Sequence, residues 1–212
     1  YYMPFGLLTP ASWVALFTRR YMHLTGCTQD ALFEIAQATR DYAVRNPAAF
    51  FYQRPMTRAD YDAGKKICNP LTLYDCCQES DGGCAIVVTT PERARHLKQP
   101  GVSIRGVAQC IAKDQEEMTS FYRPDIARIP EMDLAADEAY AQCGLSAQDI
   151  DAAVIYDAFT PIVLWQLESW GFCKYGEAAD FVQAGNLRPN GRLPSNTHGG
   201  QLSEAYIHGV NG

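Results

Sequence analysis

At 212 residues, 47% hydrophobic and 20% charged, the chain has ordinary globular composition and enough length for a sizeable core, in one large domain or two small ones. Its formal net charge is −6, and its basic residues gather no further than pairs such as Arg19-Arg20 and Lys65-Lys66, which argues against a nucleic-acid partner. No run approaches the roughly 20 apolar residues of a membrane helix, so no membrane span is expected.

In chain order, residues 10–23 read as a helix, with Trp13, Leu16 and Phe17 on a mostly apolar body and a stop near Gly26. Thr28 is a good N-cap for the next helix, whose Leu32, Ile35, Ala36 and Ala43 fall at helical spacing before Asn46-Pro47 ends it. An irregular aromatic stretch follows, with Phe50, Phe51 and Tyr52 in a row, and Thr57 caps a short helix to Lys66. Residues 84–88 form an unbroken β-branched run that suits a strand covered on both faces. A helix over 91–98 and a second strand over 102–111 come next, then a helix over 133–143 closed by Gly144. A third buried strand over 152–156 leads to a helix over 161–170 ended by Gly171. Strands alternating with helices predict an α/β layered fold.

The richest chemistry lies in Asn196-Thr197-His198-Gly199-Gly200-Gln201-Leu202-Ser203-Glu204-Ala205-Tyr206-Ile207-His208-Gly209-Val210-Asn211-Gly212. Glycines let a backbone turn tightly and approach a ligand, and two imidazoles with a phenol can move protons. The rival reading is a glycine- and asparagine-rich surface loop. Eight cysteines without a CxxC pair read as buried free thiols in a reducing cytoplasm, not as disulfides or a zinc site; no metal is expected. The opening Tyr1-Tyr2-Met3-Pro4-Phe5-Gly6 has no basic n-region and is not expected to be a signal peptide. An ending on a glycine loop suggests a fragment.

With Tyr156-Asp157-Ala158-Phe159, Gly171-Phe172-Cys173 and Asn196-Thr197-His198-Gly199-Gly200 in view, the chain resembles the thiolase superfamily, in its lipid-transfer branch related to sterol carrier protein X. Arg20-Tyr21-Met22-His23, residues 69–77 and Ser80-Asp81-Gly82-Gly83 support the resemblance. It implies the five-layered αβαβα fold, with residues 1–110 as the loop region and end of the N-terminal half and 111–212 as most of the C-terminal half. It also implies homodimerisation through an N-terminal half outside this chain.

This branch carries His or Asn where Tyr156 stands, and the histidine of its His-Pro-x-Gly box falls near Tyr206, with His208 as rival for that position. Two phenols in place of two polar groups is the pattern of thiolase-like steroid side-chain aldolases. The resemblance therefore implies retro-aldol cleavage of a steroid β-hydroxy acyl-CoA, releasing a short acyl-CoA of propionyl type and a ketosteroid. It further implies a small zinc-ribbon/OB-fold acyl-CoA-associated partner and no cofactor, the CoA thioester being substrate. Tyr156, Tyr206 and His208 would move protons, while His198, Gly199, Gly200 and Asp157 would bind substrate, the two glycines offering N–H groups to an oxyanion.

A tyrosine acting as base near neutral pH needs its pKa lowered by two to three units, about 3–4 kcal/mol, from its usual value of about 10. Joint proton handling needs the two hydroxyls within about 8 Å. Asp157 reads equally as a helix-entry carboxylate, and the Leu164, Trp165, Leu167, Trp170 stripe as core or as acyl-tunnel wall. Two alternatives remain: a thiolase whose nucleophilic cysteine lies outside this chain, and a non-catalytic subunit that binds acyl-CoA or lipid.

Overall fold

The computed structural model describes residues 2–115 and 121–210; Asn211 and Gly212, which close the glycine-rich stretch, lie outside the described residues. Its centre is helical. Helix α1 (Pro10–Thr25) and helix α2 (Gln29–Ala43) are joined at Gly26, which takes φ 75° where the chain must reverse. The Thr28 hydroxyl accepts from the Asp30 N–H at 3.3 Å and starts α2. Helix α3 (Arg58–Ala63) opens on a full capping box between Thr57 and Asp60 and ends earlier than expected, because Lys66–Cys68 forms strand β1. Strand β2 (Leu71–Thr72) pairs antiparallel with it. Helices α4 (Pro91–Ala94), α5 (Pro130–Cys143), α6 (Thr160–Ser169), α7 (Ala178–Gln183) and α8 (Gly200–Ser203) complete the order.

The core forms where α2 packs on α6, α7 and α8. Leu32, Ile35 and Ala38 of α2 meet Leu164, Trp165 and Leu167 of α6 in one cluster with Phe17 and Tyr21 of α1. Helix α6 is apolar nearly all round, as a helix enclosed by its neighbours must be. Leu164, Trp165 and Leu167 are therefore buried packing residues, though Trp165 also borders a small cavity of about 100 Å³; Trp170 lines a cavity of about 270 Å³ bounded also by Tyr140, Val154 and Phe172.

The three expected strands are corrected by the structure. Residues 84–88 and 102–111 form no strand pairing among the described residues, the Val107 N–H donating instead to Gln142 Oε1 at 2.9 Å, and Ile86 (86% exposed), Val87 (90%) and Val102 (94%) face outward. Segment 152–156 makes one parallel bridge, Ala153 to Ser195, and Val154 is exposed. The apolar pattern was real. A strand is completed only by its neighbours, and among the described residues these segments lack them.

Candidate active site

The site is built where segment 152–156 passes the turn before α8. Ala153 N–H donates to the Pro194 carbonyl at 3.1 Å, and Asn196 N–H to the Ala153 carbonyl at 2.9 Å. Asn196 takes a left-handed φ of 52°, which turns its carboxamide onto Ile155. Its Nδ2 donates to the Ile155 carbonyl at 2.9 Å, and its Oδ1 accepts from the Ile155 N–H at 2.7 Å. Gln166, reaching out of α6, does the same one residue on. Its Nε2 donates to the Tyr156 carbonyl at 2.6 Å, and its Oε1 accepts from the Tyr156 N–H at 3.2 Å. Two side-chain amides thus satisfy backbone groups that a second strand would otherwise pair.

Tyr206 is held as firmly. Its N–H donates to the Gln78 carbonyl at 2.6 Å, and its carbonyl accepts from the Ser80 N–H at 3.0 Å. These anchors bring the Tyr156 and Tyr206 hydroxyls to 2.9 Å, with ring centroids 6.3 Å apart at 62°. His208, at φ 52°, stacks on the Tyr206 ring with centroids 5.4 Å apart and is itself exposed. Of the two rivals for the family's histidine position, Tyr206 is the one that meets Tyr156.

Burial pushes the Tyr156 phenol above its ordinary range, and its bond to Tyr206 adds to the shift. That reverses the sequence expectation of a lowered phenol, since desolvation favours the neutral form. Cys77, whose charge would be felt by Tyr156, has its thiol pushed up to about 12 by burial, with Glu79 adding to it, so it offers no thiolate.

Asp157 points away from solvent, with 1% exposure. It accepts from the Gln201 N–H at 2.8 Å and the Leu202 N–H at 3.4 Å, so it anchors the start of α8 and not of α6. Burial raises its carboxyl to about 7 against those amides, which hold it down. Gly200, at φ 64°, is required beside it: a Cβ there would lie 2.1 Å from Asp157 Oδ2. Gly199 spends its N–H on the Asn196 carbonyl at 2.8 Å, so the structure does not turn that amide toward a ligand as expected. His198 is placed by Asn46, whose Nδ2 donates to its carbonyl at 2.8 Å, and its Nε2 lies 3.7 Å from Glu204 Oε2.

Tyr156, Asn196, His198, Gln201 and Gly209 line an open cavity of about 350 Å³, with Asp157 in its floor. Tyr206 adjoins it through the Tyr156 hydroxyl. The arrangement can pass a proton between two hydrogen-bonded phenols beside a ligand-sized space. Sequence reading missed Asn196, Gln166 and Gln201 as site residues. The only signal was a lone glutamine in an apolar helix, and an asparagine ahead of a glycine pair.

Residues 112–210 match the thiolase C-terminal domain-like family. The chain is 57% identical over 210 residues to a steroid side-chain-cleaving aldolase of Thermomonospora curvata, covering 99% of this chain and 54% of that protein.

The chain belongs to the thiolase superfamily.

A second relative, the 17-hydroxy-3-oxo-4-pregnene-20-carboxyl-CoA lyase of Mycobacterium tuberculosis, is 52% identical over 209 residues, again 99% of this chain and 54% of the relative. A solved structure of an Ltp2-ChsH2(DUF35) aldolase superposes with a TM-score of 0.96 at 56% identity, over 99% of this chain and 55% of that one. The fold is thiolase-like, and this thiolase superfamily chain spans about half the length of the curated relatives it matches. No helix among the described residues is long and apolar enough to cross a membrane. All eight cysteines are free, Cys27 buried and Cys84 exposed.

Proposed function

We propose that this chain supplies the proton-handling half of an aldolase that splits a steroid β-hydroxy acyl-CoA. The observation that carries the reading is the 2.9 Å contact between the Tyr156 and Tyr206 hydroxyls at the edge of the cavity. In the cleavage, the β-hydroxyl loses its proton, the Cα–Cβ bond breaks, and its electron pair passes into the enolate of the thioester. A proton adds at Cα in the same step, leaving a ketosteroid and a short acyl-CoA of propionyl type. One proton is taken and one given, so no cofactor and no acyl-enzyme are required.

The raised Tyr156 phenol suits the acid that protonates Cα, while Tyr206 takes the β-hydroxyl proton as it passes its own to Tyr156 across their shared hydrogen bond. The three proton transfers are coupled, so neither phenol has to start as a phenolate and neither is left as one. His208, stacked on Tyr206, and His198, on the cavity wall, are the imidazoles that would favour that transfer and bind the thioester. Asp157 lines the cavity with His198, and Gly200 leaves room for its carboxyl.

The relatives' names support the substrate class, and the Ltp2-ChsH2(DUF35) assembly supports a small acyl-CoA-associated partner of zinc-ribbon/OB type. We also propose homodimerisation, a division of the chain near residues 110 and 111, and a cytoplasmic setting in which eight free thiols stay reduced.

The test uses the full-length protein with its copurifying partner and a steroid β-hydroxy acyl-CoA. Tyr156→Phe and Tyr206→Phe should each lower kcat by at least about 100-fold, the usual weight of general acid–base catalysis. Unchanged turnover in either would refute the reading, and a trapped acyl-cysteine would favour a conventional thiolase instead.

A further inference from the structure

We infer that Gln166 is a positioning residue for Tyr156, holding the phenol in line for proton transfer from the opposite side of the backbone. This rests on the aldolase reading above. Its carboxamide is spent entirely on main chain: Oε1 accepts from the Tyr156 N–H, while Nε2 donates to the Tyr156 carbonyl at 2.6 Å and to the Ile162 carbonyl of its own helix at 3.2 Å. Gripping both peptide groups of one residue fixes its φ and ψ, and with them the direction of Cα–Cβ. The Asn196 carboxamide grips Ile155 in the same way, so the two residues leading to the phenol are clamped in series.

The location argues for more than satisfying buried amides. Segment 152–156 has a single bridge to a neighbour, and the hydrogen bonds that hold the Tyr156 peptide groups come from Gln166. Gln166 also stands on the wall of both cavities, the one of about 350 Å³ with Tyr156 and the apolar one of about 270 Å³ with Trp170. It therefore joins the core helix α6 to the reacting group, and movement of the helix is movement of the phenol. Proton transfer at a 2.9 Å contact is sensitive to such movement, since misplacement by about 1 Å costs on the order of 100-fold in rate.

Two variants test this in the full-length protein, assayed well below the Tm of each. Gln166→Leu removes the clamp and should lower kcat by about 10- to 100-fold, with KM changed by less than about threefold. Gln166→Glu should be impaired while its carboxylate is ionised, since two carbonyls then face an anion. It should regain activity relative to the native protein as the pH falls and the protonated carboxyl donates to the Tyr156 carbonyl again. A purely structural role predicts a lower Tm with kcat ratios independent of pH. As a readout free of turnover, 3-fluorotyrosine placed at position 156 should give one sharp 19F resonance that shifts or broadens in Gln166→Leu. Native-like kcat in both variants, or an unmoved fluorine line, would overturn the assignment. If the native protein cleaves no β-hydroxy acyl-CoA, the aldolase reading falls alone, and the fluorine line still decides the role of Gln166.

Discussion

The Tyr156 and Tyr206 hydroxyls are hydrogen-bonded to each other, and burial makes the neutral state of Tyr156 the stable one. The pair of phenols was legible in the sequence through the family pattern, but the direction of the shift was not, since it depends on what surrounds the ring. Asp157 was ambiguous between site and helix entry, and only the Gln201 and Leu202 amides show that it anchors α8. Its titration has a measurable consequence. The folded chain holds the Asp157 proton up to about pH 7, whereas an unfolded aspartate releases it near 4. The folded state therefore binds more protons across that window, and this group's contribution to stability falls as the pH rises from about 4 to about 7. Asp157→Asn should flatten that slope in urea unfolding series. It should also cost about 1–3 kcal/mol, because an amide donor would face one of the two α8 N–H groups.

Helices were legible because their signals are local: the Thr57–Asp60 capping box, the Thr28 cap, and Gly26 and Gly144 at φ 75° and 67° sit within a turn of the boundaries they set. The short α7 and α8 escaped notice. Helix α8 has only four residues, and what holds it comes from far along the chain: the Asp157 carboxylate at its start, and the Phe50 and Phe51 N–H groups on the Glu204 and Ser203 carbonyls at its end. Arg40 of α2 reaches the same end, with its Nε 3.2 Å from Ser203 Oγ and its guanidinium stacked 3.5 Å over Phe51. Gly200→Ala should expose how tightly this is built. The added Cβ would meet Asp157 Oδ2 at 2.1 Å in a backbone conformation that disfavours side chains, so we expect a loss of about 2 kcal/mol or more, read as a lower Tm. The extended segments show the converse. Their apolar pattern predicts strands, yet among the described residues they form none, since no local signal tells a strand where its neighbours are.

At the scale of the molecule, the helical centre is closed while one set of apolar segments stays open. Residues 84–88 and 102–111 present Val87, Val102 and Ile111 at 80% exposure or more, a pattern suited to pairing with further strands. Their amides should exchange within seconds to minutes in the 212-residue chain and be protected when it is expressed at the length of its relatives, by hydrogen exchange. The cavity beside Tyr156 is open in the same sense. The central claim is that two phenols act as one proton-handling unit during carbon–carbon cleavage, and a double-mutant cycle on kcat tests it most directly. The account predicts that Tyr156→Phe and Tyr206→Phe each cost at least about 100-fold and that the double variant is scarcely worse than either single one. Losses that multiply, or a single variant with native turnover, would contradict it.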